Sequence, residues 1–281
     1  MKHDQGNFLG TGEIDLYYQS WHPNDKTKAI VAIVHGLGGH SSIFDNLVQF
    51  LCDRAIGVYS FDLRGHGRSP GQRGYINNWQ EFRQDLRAFL QLIIAKEDNL
   101  SLFLLGQSLG GTIALDYALH YPQGLQGLIL LSPALKVSVA PIKSFLGKLF
   151  SRFIPRFTLD TGFDLAAGSR DPQVVAAYAL DSLRHTKATA RLATEFYQTV
   201  HWIEVNAVKL QIPLLILHGG ADRVTMPESS RRLFEIIPFT DKEIREYPES
   251  YHELQNDLNY LEVFADLENW LEKHLESLTI D

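Results

Sequence analysis

The run Ser101-Leu102-Phe103-Leu104-Leu105-Gly106-Gln107-Ser108-Leu109-Gly110-Gly111 constrains the fold more than any other stretch of the 281 residues. An apolar segment without a polar face stops abruptly at a serine set among glycines, and a second apolar pattern runs from Leu109 to Tyr121. Buried strand, sharp turn and helix is the reading. Gly106, Ser108 and Gly110 fit the Gly-x-Ser-x-Gly elbow, in which small residues on both sides let a strained turn lift the serine hydroxyl off the sheet edge. Three fixed letters in five also occur in ordinary Gly/Ser loops, and it is the flanking strand and helix that select the elbow here. Ser108 is the candidate nucleophile.

The chain around this turn alternates strands and helices. Phe8 to Trp21 suggests an antiparallel hairpin at a sheet edge. Ala29 to Val34 is a continuous, largely β-branched run, the mark of a strand covered on both faces of a parallel sheet. It runs into His35-Gly36-Leu37-Gly38-Gly39-His40, where glycines let backbone N–H groups approach a substrate oxygen. The N–H groups of Leu37 and Leu109 are the expected oxyanion donors, with His35, Gly36, Gly106 and Gly110 supporting loop and elbow. A glycine-rich connection without chemistry is the alternative. Ser42 to Arg54, Asn78 to Ala95 and Tyr260 to Leu275 read as helices, and Val58–Leu63, Leu128–Leu131, Ile212–Leu217 and Glu243–Tyr247 as strands. In the loop after Leu63, His66 and Arg68 read as parts of a structural turn. The alternation predicts an α/β fold, a mostly parallel eight-stranded doubly wound sheet with an active face at the strand C-termini.

Between residues 136 and 208 the rhythm changes to helical patterns, predicting a helical cap inserted into a core formed by residues 1–135 and 209–281. From Lys136 to Leu159 there are three lysines, two arginines and no acid. Phe145, Leu149, Phe150 and Phe153 recur there at helical spacing. Such a basic amphipathic helix either touches lipid or micelle surfaces as a lid, or buries its apolar face against the main domain.

Composition bounds the partners. A formal net charge of -7 gives no general attraction to nucleic acid. The polar opening residues and the lack of any long apolar run lead to the expectation of a cytoplasmic protein, peripheral at membranes at most. The single cysteine, Cys52, reads as a small core residue. No metal or cofactor is expected: His252-Glu253 opens no His-Glu-x-x-His, because residue 256 is asparagine.

A serine nucleophile needs a base and a group to orient that base. Asp222 follows a predicted strand in the loop His218-Gly219-Gly220-Ala221-Asp222, where a solvated aspartate or helix cap is the alternative. Of eleven histidines, His252 stands downstream of Asp222 in a loop at the active-face end of a predicted strand. Ser, Asp, His is the chain order of a triad on this kind of sheet.

These residues in that order, with His35-Gly36 upstream, resemble the α/β-hydrolase superfamily. The phrases HGLGGHSSIF, FDLRGHGRSPGQRGYINNW, LLGQSLGG, LHGGADRVTMPESS and YPESYHELQND are similar to its monoacylglycerol lipase and lysophospholipase branch. The cap matches in position and length more than in letters, and Gly39 and Leu109 stand where the branch often has Glu and Met. The resemblance implies hydrolysis of a carboxylic ester in a single-chain acyl lipid, without cofactor. Rival readings are a proline-iminopeptidase-like aminopeptidase using a cap acid among Asp164, Asp171, Asp181, Glu195 and Glu204, a perhydrolase or carbon–carbon bond hydrolase, and a non-catalytic small-molecule-binding scaffold. Aspartate-nucleophile dehalogenases and epoxide hydrolases are disfavoured by the serine at 108.

Overall fold

A computed structural model describes residues 1–136 and 151–276. In chain order the elements that frame the site are β1 (Lys2–Gly10), β2 (Ile14–His22), β3 (Ala29–Val34), α1 (Asp45–Cys52), β4 (Ile56–Phe61), α2 (Gln80–Lys96), β5 (Ser101–Gln107), α3 (Leu109–His120) and β6 (Gly127–Leu131). After them come β7 (Thr158–Asp160), α4 (Pro172–Leu180), β8 (Lys187–Thr189), α5 (Ala190–Asn206), β9 (Leu214–Gly219), α6 (Pro227–Ile236), β10 (Lys242–Tyr247) and α7 (Tyr260–Glu276). The main sheet has eight strands in the order β1-β2-β4-β3-β5-β6-β9-β10. β2 pairs antiparallel with β1 and β4, and the remaining neighbours are parallel.

The unbroken apolar run of β3 follows from its place in the middle of this sheet. Ile30, Ala32 and Val34 face one hydrophobic cluster, and Ala29, Val31 and Ile33 face the other. On the first face pack Phe82, Leu86 and Phe89 of α2 and the apolar residues of α3. The second is covered by Leu47 and Leu51 of α1 and Val263, Phe264 and Leu267 of α7. Helix α3 is buried nearly all round, which is why its sequence shows no polar stripe. Cys52 is buried at the end of α1, and burial pushes its thiol up to about 11.

The insertion between β6 and β9 departs in one respect from its helical reading. Thr158–Asp160 and Lys187–Thr189 form an antiparallel pair, too short and too exposed to announce itself as an apolar run. The helix between these strands, α4, is accordingly short. Asp171 caps α4 by accepting the Gln173 N–H at 2.8 Å, Pro172 occupies the first turn, and Asp181 ends it. Phe145, Leu149 and Phe150 lie outside the described residues. Phe153 is 69% exposed.

Candidate active site

The turn between β5 and α3 is strained at Ser108. Ser108 adopts φ 54° and ψ -120°, a conformation an L-residue holds at a cost of about 1–3 kcal/mol. Neighbouring bonds enforce it: the Ser108 N–H donates to Leu131 O at 3.0 Å, and Ser108 O accepts the Gly111 N–H at 2.9 Å. The two flanking glycines are steric necessities. A Cβ on Gly106 would fall 2.4 Å from the Gly110 carbonyl oxygen, and one on Gly110 would fall 2.1 Å from that of Val34. The nucleophile candidate thus sits between the C-terminus of β5 and the N-terminus of α3.

Asp222 and His252 leave the C-terminal ends of β9 and β10, and the structure brings them together. His252 Nδ1 lies 2.7 Å from Asp222 Oδ2. Oδ1 of the same carboxylate accepts the N–H groups of Val224 and Thr225 at 2.7 and 2.9 Å. Burial opposes the charge, but the His252 ring, His218 and the Thr225 N–H together hold the carboxyl far below the usual carboxylate range. Asp222 is therefore held as the anion.

Ser108 and His252 line one cleft with Gly36, Leu37, Gln107 and Val224. A Cβ on Gly36 would come within 2.9 Å of Ser108 Cβ, so this glycine lets the loop after β3 lie directly against Ser108. Leu37 is the next residue. Leu109, as the first residue of α3, has an N–H with no acceptor within its own helix. His35 lies behind this wall, fully buried: its Nε2 accepts the Leu63 N–H at 3.0 Å and its Nδ1–H donates to Gly36 O at 2.8 Å. Burial, outweighing the nearby Asp62 carboxylate, lowers its pKa to about 4, so it is a neutral strut rather than a proton carrier. His66 is likewise buried, its Nδ1–H donating to Arg64 O at 3.0 Å, as a structural turn requires.

Several residues of the site carry no signal in the sequence. Thr225 Oγ1 is 2.8 Å from Asp222 Oδ2 and 3.1 Å from Ser132 O, tying the acid to the loop after β6. His218 Nε2 lies 3.3 Å from Asp222 Oδ2. Asp62 accepts the Ser41 N–H at 2.6 Å and the Arg68 N–H at 2.7 Å, joining two loops of the active face. Thr225 reaches Ser132 across 93 residues and Asp62 reaches Ser41 across 21, and no local pattern marks these contacts. Among the described residues no group of three or more His, Cys, Asp or Glu is arranged to hold a metal ion.

A mostly parallel eight-stranded sheet with a strained serine between strand and helix, lining one cleft with the histidine of a buried His–Asp pair, defines a serine hydrolase of α/β architecture. The family model described as serine aminopeptidase, S33 matches residues 25–259, and the chain belongs to this α/β-hydrolase family, on the branch that includes monoacylglycerol lipases. A monoacylglycerol lipase of Mycolicibacterium smegmatis is 30% identical over 272 residues, covering 96% of this chain and 97% of the relative. The crystal structure of Paleococcus ferrophilus monoacylglycerol lipase superposes with a TM-score of 0.83 at 34% identity, covering 92% of this chain and 99% of that one. A soluble variant of the Saccharomyces cerevisiae monoglyceride lipase, solved with a substrate analogue, gives 0.85 at 26% identity, over 96% of this chain and 94% of that one.

Proposed function

We propose that this chain hydrolyses the carboxylic ester of single-chain lipids, with a monoacylglycerol or a lysophospholipid as substrate, through an acyl-enzyme on Ser108. The observation that carries this reading is the His252–Asp222 contact of 2.7 Å at the cleft that also holds Ser108. His252, its Nδ1–H given to Asp222, accepts the Ser108 proton at Nε2 as Oγ attacks the ester carbonyl, then returns it to the departing alcohol. Water repeats the attack on the acyl-enzyme, releasing fatty acid and regenerating the serine. Leu37 and Leu109 N–H groups hold the oxyanion, each worth roughly 3 kcal/mol in the transition state.

The relatives named as monoacylglycerol lipases support the ester over the amide reading, and so does the use made of the cap acids. Asp171 caps α4, Asp181 contacts His40 at 2.7 Å, Glu195 accepts the Trp79 N–H at 2.9 Å and Glu204 pairs with Arg232 at 2.9 Å. Asp164 lines the cleft, but its Oδ1 accepts the Ala166 N–H at 2.9 Å. We place the enzyme in the cytoplasm, meeting its lipid at a membrane or micelle surface through the cap. Among the described residues no helix is long and apolar enough to cross a membrane. Exposed Phe153, Phe157, Leu159 and Leu180 on the cap suit such contact.

A fluorophosphonate probe tests the nucleophile and a substrate panel tests the class. Labelling is expected in the wild type and lost in Ser108→Ala. Turnover of monoacylglycerols or lysophospholipids is expected to exceed that of short esters and of aminoacyl amides. Preference for the amides would overturn the ester reading, and labelling that survives Ser108→Ala would move the nucleophile elsewhere.

A further inference from the structure

Two adjacent residues of the cap touch the two loops that the proposed chemistry depends on. Arg184 donates from Nη1 and Nη2 to Glu253 Oε1 at 3.1 and 2.7 Å, and from Nη2 to Oε2 at 2.9 Å. Glu253 directly follows His252. Its carboxylate also accepts the Tyr178 hydroxyl at 2.5 Å, and the Arg184 guanidinium lies 3.7 Å from the Tyr178 ring centroid. The next cap residue, His185, donates its backbone N–H to Gly38 O at 3.1 Å, on the loop after β3. That contact is close enough that a Cβ on Gly38, at φ +74°, would fall 1.8 Å from the His185 carbonyl oxygen.

The side chains of Arg184 and Glu253 are 10% and 11% exposed. Two charges so buried give up much of their hydration, and the pair is a poor source of net stability. What it does supply is geometry, because a bidentate guanidinium–carboxylate contact fixes both direction and distance. We propose that Arg184, acting through Glu253, is a positioning residue: the Arg184–His185 pair spans the cleft and sets the place of His252 relative to the Leu37 oxyanion loop. This rests on the triad reading given above. On it the cap is part of the catalytic frame as well as a cover over the acyl chain.

The test uses a short soluble ester, such as p-nitrophenyl acetate, so that acyl-chain contacts with the cap are not measured. Turnover is expressed per active site titrated with fluorophosphonate. Arg184→Ala is expected to lower kcat about 10- to 100-fold, the scale of a misplacement of about 1 Å, with KM within about twofold. Arg184→Lys, which keeps the charge but not the fork, is expected to recover part of the loss. Adding Glu253→Ala to Arg184→Ala is expected to cost less than the two single losses multiplied, because both act through one contact. Wild-type kcat per titrated site in Arg184→Ala, or a change in KM alone, overturns the inference. Should Arg184→Ala fail to fold, Arg184→Gln is judged by the same two readouts. A wild-type chain that neither labels nor turns over ester overturns the triad reading itself. Normal wild-type labelling with unaltered kcat in the variants sinks the positioning role alone.

Discussion

Asp222 Oδ2 meets His252 Nδ1 at 2.7 Å, while the other oxygen of the same carboxylate is engaged by the N–H groups of Val224 and Thr225. The acid therefore has a fixed orientation and a single direction in which to hold the ring. Asp222→Asn keeps the shape but can present an amide N–H toward Nδ1, favouring the tautomer whose Nε2 carries the hydrogen and cannot accept another. A fall in kcat of about 10³- to 10⁴-fold is expected, with KM little changed. Steady-state kinetics on one ester check this, and a loss below tenfold would remove Asp222 from the role.

The elbow glycines make a prediction about folding rather than chemistry. A methyl group on Gly110 would lie 2.1 Å from the Val34 carbonyl oxygen and 2.6 Å from that of His35, both backbone atoms of the strand and loop beside the site. Side-chain rotation cannot remove such overlap, so backbone must shift. Gly110→Ala is expected to destabilise by about 2 kcal/mol or more, lowering the thermal midpoint by roughly 5 °C. Gly12→Ala is the control for crowding, because nothing lies within 4 Å of its added Cβ, although its φ of +76° still carries a backbone cost. Gly110 lies in α3 without a positive φ, so its loss measures contact alone, and an unchanged midpoint in Gly110→Ala would mean that the backbone gives way at little cost.

What could be read from the chain follows from where burial writes a pattern. β3 is bounded in the structure by the same residues, Ala29 and Val34, that bound its apolar run, because both faces of the strand are covered. β1 begins at Lys2, far ahead of Phe8, because its first residues are exposed and held by pairing with β2. An edge strand of that kind leaves no apolar alternation to find. The same contrast holds at the site. Ser108 is marked by glycines that its backbone requires, whereas Glu253 finds Arg184 across 69 residues and nothing local in either segment foretells it. The pair Thr158–Asp160 and Lys187–Thr189, short and mostly exposed like the start of β1, leaves no apolar pattern either.

Acid sensitivity should follow from His35. Burial holds its pKa down to about 4, whereas in an unfolded chain it titrates near ~6.5. Between those values the unfolded state binds a proton that the folded state does not. Stability contributed by the neutral ring is therefore full above pH ~6.5 and declines as pH falls, by about 3 kcal/mol on reaching pH 4. His66, lowered in the same way by burial, adds to the slope. Thermal midpoints measured from pH 7 to 4 check this: His35→Gln is expected to melt lower at pH 7 but to lose less over the interval. A parallel decline in the two proteins would assign the acid sensitivity to other groups.

The apolar surface of the insertion between β6 and β9 leads to a prediction about chain length. Phe163 lines the cleft yet is 45% exposed, and Phe153 is 69% exposed, so neither side chain carries much of the fold's stability. Apolar area left in water on the protein is area that a fatty acyl chain or a lipid surface can cover, at about 25 cal/mol per Å². An acetyl group is too short to take advantage of it. Phe163→Ser and Phe153→Ser are expected to leave the thermal midpoint nearly unchanged and to keep kcat/KM for an acetyl ester within twofold, while lowering kcat/KM for a long-chain monoacylglycerol by about three- to tenfold. Measuring the long-chain ester both below and above its micelle-forming concentration separates the two residues. A loss confined to micelles assigns the residue to the surface, and a loss on monomers assigns it to the acyl path. Equal losses on acetyl and long-chain esters would show that the cap residues act on the triad instead.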